Sequence, residues 1–320
     1  MQKNVTNDPM FSLLVALAMY VTFAPAKPAL SVNALRPFLL RTRSLPLAAA
    51  MPRPEIVRAP TKKDDTRLGI ETTAKAAVVL DWKTGAPLFE KNDDEPMAIA
   101  SITKLMSAIV VLSQKPDWKK EVEFFSTDEP SGGVQYLLPG EKVTVQDLFN
   151  MSLVASSNGA TVALARSTGL TSAEFVSKMN EMAAKLGMTK SHFTDPTGLA
   201  STDEASARDV ALLIRTALTY PEIQAAVQQK KYSFRAITGL DHAVRSTDEL
   251  LGSFLDVAPN KFLGGKTGFI EEAGYCFGSA AENADGNRVI AVVLGAESKE
   301  LRFKEVKSLI FWAFDAYEWP

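Results

Sequence analysis

The chain has one cysteine, Cys276, and two histidines, His192 and His242, among its 320 residues. A lone thiol excludes an intrachain disulfide and a cysteine-built zinc site, so the fold has to stand on its apolar core. Two histidines cannot furnish a His-rich metal centre, and any Ser-His-Asp scheme would have to use one of them. Neither Ser191-His192-Phe193 nor Asp241-His242-Ala243 offers a catalytic context, and no cofactor or metal is expected. Charge of one sign is lacking too. With 35 basic and 37 acidic residues the formal net charge is −2, which removes the electrostatic basis for binding nucleic acid. Long apolar runs are scarce: Phe11 to Ala24 is uncharged and mostly apolar, yet shorter than the roughly 20 residues of a spanning helix.

What is present describes an exported globular protein. The 46% hydrophobic content suffices for one large core or two joined ones. The run Phe11–Ala24 follows Lys3 and leads into Ala24-Pro25-Ala26, a small-residue cleavage pattern. Residues 1–26 are therefore read as a secretory signal, with an uncleaved membrane tether as the alternative. Residues 27–67, rich in Pro, Ala and charge without a sustained period, are read as a linker. The folded domain is expected over 68–320.

Within that domain Ala76–Leu80 and Pro87–Lys91 read as two strands joined by the turn Asp81-Trp82-Lys83-Thr84-Gly85. Ser101–Gln114 repeats apolar residues at helical spacing, and helical pieces follow at Val145–Asn150, Gly159–Ser167, Ser172–Leu186 and Ser206–Thr219. Strand patterns return at Lys261–Phe269, Gly274–Ala281 and Val289–Gly295, before a closing helix from about Glu300 to Tyr317. Strands at both ends around a helical insert, about residues 116–228, make the fold class α+β.

Three short motifs occur in one order: Ser101-Ile102-Thr103-Lys104, Ser156-Ser157-Asn158 and Lys266-Thr267-Gly268. Residues three apart on a helix share a face, so the Lys104 amine can reach the Ser101 hydroxyl. Serine needs such a base to become a nucleophile, and a lysine serves only if burial or a neighbouring cation lowers its pKa. Lys266 supplies that cation in this reading. Ser156 relays a proton to a leaving amine, Asn158 bonds substrate backbone or Lys104, and Lys266 and Thr267 hold a carboxylate. Gly268 lets its strand approach substrate. Lys83-Thr84-Gly85 spells the third motif as well but lies in a predicted turn ahead of the serine, so it is read as structural. Glu271-Glu272 is read as a solvated turn and Cys276 as core filler.

The ordered set resembles that of penicillin-binding proteins and class A β-lactamases. From about Lys75 onward the chain is similar to the D-alanyl-D-alanine carboxypeptidase/endopeptidase family. Leu138-Pro139-Gly140-Glu141, Phe193 to Leu199, Ser206 to Val210 and Ala273 to Cys276 also resemble its connecting segments. The resemblance implies a β-lactamase/DD-peptidase-like fold, an antiparallel sheet flanked by helices with a mainly helical subdomain inserted. It also implies a serine peptidase that hydrolyses peptidoglycan stem peptides through an acyl-enzyme on Ser101, and inhibition by β-lactams. Lys104 is the implied base, and the N–H groups of Ser101 and Phe269 the implied oxyanion hole. Periplasm or the outer face of the cytoplasmic membrane is the implied location. Two residues depart from many relatives, Ser157 for glycine and Phe269 for histidine, which bears on substrate preference. With no β-domain or amphipathic anchor after Pro320, the chain resembles the shorter endopeptidase branch. The alternatives are a β-lactamase, disfavoured because no Glu-x-x-Leu-Asn lies between Asn158 and Lys266, and a silent penicillin-sensing or wall-binding module, disfavoured by the intact polar motif residues.

Overall fold

The computed structural model describes residues 58–63, 70–131 and 133–320; the signal segment and most of the 27–67 stretch lie outside the described residues. Five antiparallel strands build the main sheet: β1 (Ala76–Asp81), β2 (Pro87–Lys91), β3 (Lys261–Ile270), β4 (Gly274–Glu282) and β5 (Arg288–Ala296). Their spatial order is β3-β4-β5-β1-β2, with Val292 opposite Val78 and Lys266 opposite Gly278.

All six residues of β1 are buried, because the sheet is covered on both faces. Ala76, Val78 and Leu80 enter one core, whereas Ala77 and Val79 enter the other. A period of two thus distributes one continuous apolar run between two layers. The second core is closed by the C-terminal helix, which packs on β4 and β5. The first core is shared with the helical subdomain.

Seven helices complete the described fold: α1 (Thr103–Ser113), α2 (Val145–Val154), α3 (Asn158–Ser167), α4 (Ser172–Leu186), α5 (Ala207–Ala217), α6 (Pro221–Val227) and α7 (Lys299–Ala316). Local chemistry sets their starts: Thr144 and Asp147 form a capping box on α2, Thr171 and Glu174 one on α4, and Ser298 caps α7. α1 is buried almost all round, touching α2, α3, α4 and α5. An all-round apolar helix demands that environment, and it carries Lys104 into the middle of the protein.

The inserted region is mainly helical, and it also carries the strand pair Glu121–Glu123 and Lys142–Thr144. Two sequence readings need correction. The α-helix starts at Thr103, with Ser101 in a 3₁₀ turn over Ala100–Ile102. The stretch taken as linker already belongs to the fold at its end: Thr61–Lys62 pairs with Tyr317–Glu318 and the Lys63 N–H donates to the Ala316 carbonyl at 2.9 Å. A two-residue strand whose partner lies at the far end of the chain leaves no local period to read. The Lys83-Thr84-Gly85 turn stands as expected, held by the Thr84 N–H on Asp81 Oδ2 at 2.7 Å, with Gly85 at φ +72°. Among the described residues no helix is long and apolar enough to cross a membrane.

Candidate active site

Ser101 and Lys104 meet as their spacing demands. Ala100, at φ +49°, holds a left-handed conformation uncommon for a residue with a Cβ, and so turns the chain sharply ahead of the serine. Lys104 is completely buried, and its Nζ lies 2.7 Å from each of Ser101 Oγ, Asn158 Oδ1 and the Thr197 carbonyl oxygen. Burial first, and the charge of Lys266 second, hold its pKa well below the ordinary lysine value, against the opposing fields of Asp195 and Asp203. Once neutral, the amine has two N–H donors and one lone pair. Asn158 Oδ1 and the Thr197 carbonyl can only accept, so they can take both donors and leave the lone pair for the Ser101 hydroxyl. That is the geometry of a base in front of a nucleophile.

The other two motifs converge on the same cleft. Ser156, at φ +59°, precedes α3, whose cap Ser157 accepts the Ala160 N–H at 3.2 Å and whose first residue is Asn158. The Ser156 hydroxyl accepts a hydrogen bond from Lys266 Nζ at 2.8 Å. Lys266 is itself buried on β3, at the sheet edge, and also donates to the Thr267 carbonyl at 3.1 Å. Burial, then Arg302, lowers its pKa to about 7, with Asp248 opposing. Thr267 Oγ1 lies 2.7 Å from Thr247 Oγ1. Phe269 is half exposed and stacks on Tyr275 with ring centroids 4.4 Å apart, so that its ring forms part of the cleft wall. The cleft has a volume of about 650 Å³ and is lined by Ser101, Ser156, Asn158, Thr267, Gly268 and Phe269, with Thr247 and Arg302.

Gly268 lines the cleft, and its missing Cβ also matters for packing. A Cβ there would sit 2.5 Å from the Ile99 carbonyl oxygen, so the missing side chain lets β3 press against the turn that carries Ser101. Gly198 makes a second close approach to that turn. At φ +80° it lies so close that a Cβ would meet the Ala100 carbonyl oxygen at 1.9 Å. Two backbone segments therefore pack tightly against the nucleophile's turn.

Several site residues escaped the sequence reading. Thr197 acts through its carbonyl, which any residue type supplies. Its loop is shaped by Asp195, which accepts from Thr197 N at 2.5 Å, Thr197 Oγ1 at 2.6 Å, Gly198 N at 2.9 Å and Ala200 N at 2.8 Å. That Asp-x-Thr-Gly cluster of turn formers was the available signal. Arg302 lies in the first turns of α7, 5% exposed, with Nη1 donating to the Gly268 carbonyl at 3.2 Å. It borders the cleft between the rings of Tyr275 and Phe303. Thr247 and Asp248, in the segment before β3, carried no motif at all.

The residues set aside stay apart from this chemistry. His242 Nε2 lies 2.9 Å from Glu141 Oε1 and its ring stacks on Phe234. His192 pairs through its backbone with Glu204. The Cys276 thiol is buried, which pushes its pKa up to about 11. Glu271 reaches the cleft mouth and Glu272 belongs to the turn after β3. Among the described residues no group of His, Cys, Asp and Glu is arranged to hold a metal ion.

Comparison with known proteins places this geometry in a family. Residues 60–298 match the family described as D-alanyl-D-alanine carboxypeptidase. The D-alanyl-D-alanine carboxypeptidase DacF of Bacillus subtilis is 34% identical over 252 residues, 77% of this chain and 63% of that protein. The carboxypeptidase DacC of Escherichia coli is 33% identical, covering 77% of this chain and 62% of that protein. The chain thus spans less than two thirds of the length of these two relatives. A D-alanyl-D-alanine endopeptidase of Pseudomonas aeruginosa is 31% identical over 79% of this chain and 81% of its own length. Among solved structures, the Streptomyces K15 DD-transpeptidase superposes with a TM-score of 0.72 at 26% identity, over 78% of this chain and all of that one. Penicillin-binding protein D2 of Listeria monocytogenes in its cefotaxime-bound form gives 0.67 at 33% identity, with the same coverage. The α+β fold with its helix-flanked antiparallel sheet is the one these structures share.

Proposed function

The chain belongs to the D-alanyl-D-alanine carboxypeptidase family, and from that premise we propose that it is a serine-type D-Ala-D-Ala peptidase that hydrolyses peptidoglycan stem peptides through an acyl-enzyme on Ser101. The observation that carries this reading is the buried Lys104 amine 2.7 Å from Ser101 Oγ, with two acceptors placed to take its N–H donors.

The steps follow from the contacts. Lys104 takes the Ser101 proton as Oγ bonds to the scissile carbonyl carbon. The N–H groups at Ser101 and Phe269 are suited to hold the developing oxyanion. As the C–N bond breaks, the leaving nitrogen receives the proton of the Ser156 hydroxyl, which the Lys266 ammonium 2.8 Å away replaces. Water then attacks the ester and gives its proton back through Ser156 to Lys266, while Lys104 returns its proton to Ser101 as the acyl–oxygen bond breaks. In this reading Lys266 and Thr267 bind the carboxylate of the leaving D-amino acid, with Thr247 and Arg302 beside them in the cleft.

The test is direct. Incubating the purified protein with defined muropeptides and weighing the products should reveal loss of a terminal D-alanine or opening of a cross-link. Peptide mapping after penicillin treatment should locate the acyl group on Ser101, since a β-lactam mimics acyl-D-Ala-D-Ala. An adduct on another residue, or none at saturating drug, overturns the assignment. Peptide turnover also separates a peptidase from a silent penicillin sensor.

Export to the periplasm or the outer face of the cytoplasmic membrane is proposed on the run Phe11–Ala26 alone. N-terminal sequencing of protein from the cell envelope checks it: a start near Lys27 supports cleavage, an intact N-terminus in the membrane fraction supports the tether, and recovery from the cytosol refutes both.

A further inference from the structure

The Asp195 carboxylate is met by donors on both oxygens. Its Oδ1 accepts the Thr197 N–H at 2.5 Å, the Thr197 hydroxyl at 2.6 Å and the Gly198 N–H at 2.9 Å, and its Oδ2 accepts the Ala200 N–H at 2.8 Å. Successive N–H groups that converge in this way form a nest around an anion. The left-handed Gly198, at φ +80°, allows the backbone to curl that tightly. Asp195 is itself seated by Asp203, whose Oδ1 accepts the N–H groups of Thr194 at 2.6 Å and Asp195 at 3.1 Å.

The carbonyl ends of the same peptide groups point at α1. In the group shared by Pro196 and Thr197, the N–H donates to Asp195 and the oxygen accepts from the Ser107 hydroxyl at 2.6 Å. In the next group, shared by Thr197 and Gly198, the N–H donates to Asp195 and the oxygen accepts from Lys104 Nζ at 2.7 Å. Ser107 lies one turn on from Lys104, and both are buried. Two consecutive peptide groups thus bridge one carboxylate to one helix face, and the second completes the chain Asp195 Oδ1···H–N–C=O···Lys104 Nζ. An N–H bonded to an anion makes the carbonyl of its own peptide group a stronger acceptor.

We propose that Asp195 is a positioning residue for the reaction: through the Thr197–Gly198 peptide group it fixes and polarises the acceptor that orients the Lys104 amine toward Ser101. The proposal rests on the reading of Lys104 as the base. A carbonyl held in this way takes one N–H of the amine and leaves its lone pair for the Ser101 hydroxyl. The charges that face Lys104 are Lys266 on β3 and Asp195 and Asp203 in the segment before α5, while α3 presents the neutral Asn158. Burial and then Lys266 hold the Lys104 pKa down, and Asp195 and then Asp203 oppose them.

Asp195→Asn keeps an acceptor for the Thr197 and Gly198 N–H groups and removes the charge. The acid limb of penicillin acylation, which reports Lys104, should move to lower pH by about one unit. The maximal rate should fall roughly tenfold or more as the amine loses its orientation. Simple loosening of the loop would move the limb the other way, since water reaching Lys104 returns its pKa toward the ordinary lysine value. Asp195→Ser repeats the test with a second neutral side chain. Ser107→Ala is the control: it releases the Pro196–Thr197 peptide group and leaves the one that meets Lys104, so it should lower the melting temperature and keep the acid limb in place. An acid limb unmoved or moved to higher pH in folded Asp195 variants overturns the proposal. So does failure of both to fold, which would make Asp195 structural, or a limb that shifts equally in Ser107→Ala. Wild-type protein that is not acylated on Ser101 overturns the functional reading beneath it instead.

Discussion

Lys104 and Lys266 hydrogen-bond to different serine hydroxyls, Ser101 at 2.7 Å and Ser156 at 2.8 Å, and the charge of Lys266 is second only to burial in lowering the pKa of Lys104. One lysine is thereby prepared as a base by the other, which remains available for an anion. This division of labour requires the two to differ in protonation state over the working pH range, and the following expectations test it.

Lys104→Arg should abolish acylation while the protein still folds. Guanidinium stays charged throughout the accessible pH range and cannot accept the Ser101 proton. Acylation rates alongside thermal melts decide the matter, and near-normal acylation by a folded variant would remove Lys104 from the base role.

Lys266→Ala should slow acylation roughly tenfold to more than a hundredfold, the equivalent of about 1.5 to 3 kcal/mol for a charge-assisted hydrogen bond made at the transition state. Lys83→Ala deletes the same side chain from the same tripeptide in the exposed turn after β1, and should change acylation by less than about 0.5 kcal/mol. The reverse outcome would put the cleft in the wrong place.

The pH profile of acylation should be a bell whose alkaline limb lies near pH 7, with its maximum on the acid side of that. Lys104 has to be unprotonated, so the rate climbs as pH rises through its depressed pKa. Lys266 has to be protonated, so the rate falls above its pKa of about 7. A rate that keeps rising to about pH 10, where free lysine titrates, would contradict both shifts.

Gly198→Ala and Gly187→Ala share a left-handed backbone but differ in surroundings. At Gly187, with φ +77° after α4, nothing lies within 4 Å of the position a Cβ would take, whereas at Gly198 the Ala100 carbonyl oxygen is 1.9 Å away. The first change should cost only the backbone term, about 1 to 2 kcal/mol, and spare acylation. The second has to displace the residue before Ser101, and should lower the melting temperature further and slow acylation at least tenfold, by roughly 1.4 kcal/mol or more. Equal acylation rates in the two variants would refute a role for this packing in holding the nucleophile's turn.

Much of the site was legible because its chemistry is local. Ser101 and Lys104 are three residues apart, and that spacing alone brings amine and hydroxyl onto one face, whether the serine lies in an α-turn or in the 3₁₀ turn observed. The double of the third motif could be dismissed because Asp81 and Gly85 spell a turn, and β1 was visible because a strand buried on both faces reads as unbroken Ala and Val. The remainder depends on distance in the chain. Arg302 follows Lys266 by most of a hairpin and a strand, the Thr197 carbonyl carries no residue-type signal, and the Gly268 contact with Ile99 exists only once β3 packs on that turn. The two pKa shifts that make the chemistry work are also tertiary in origin. A lysine's identity is written in the sequence, but its desolvation is the sum of everything folded around it.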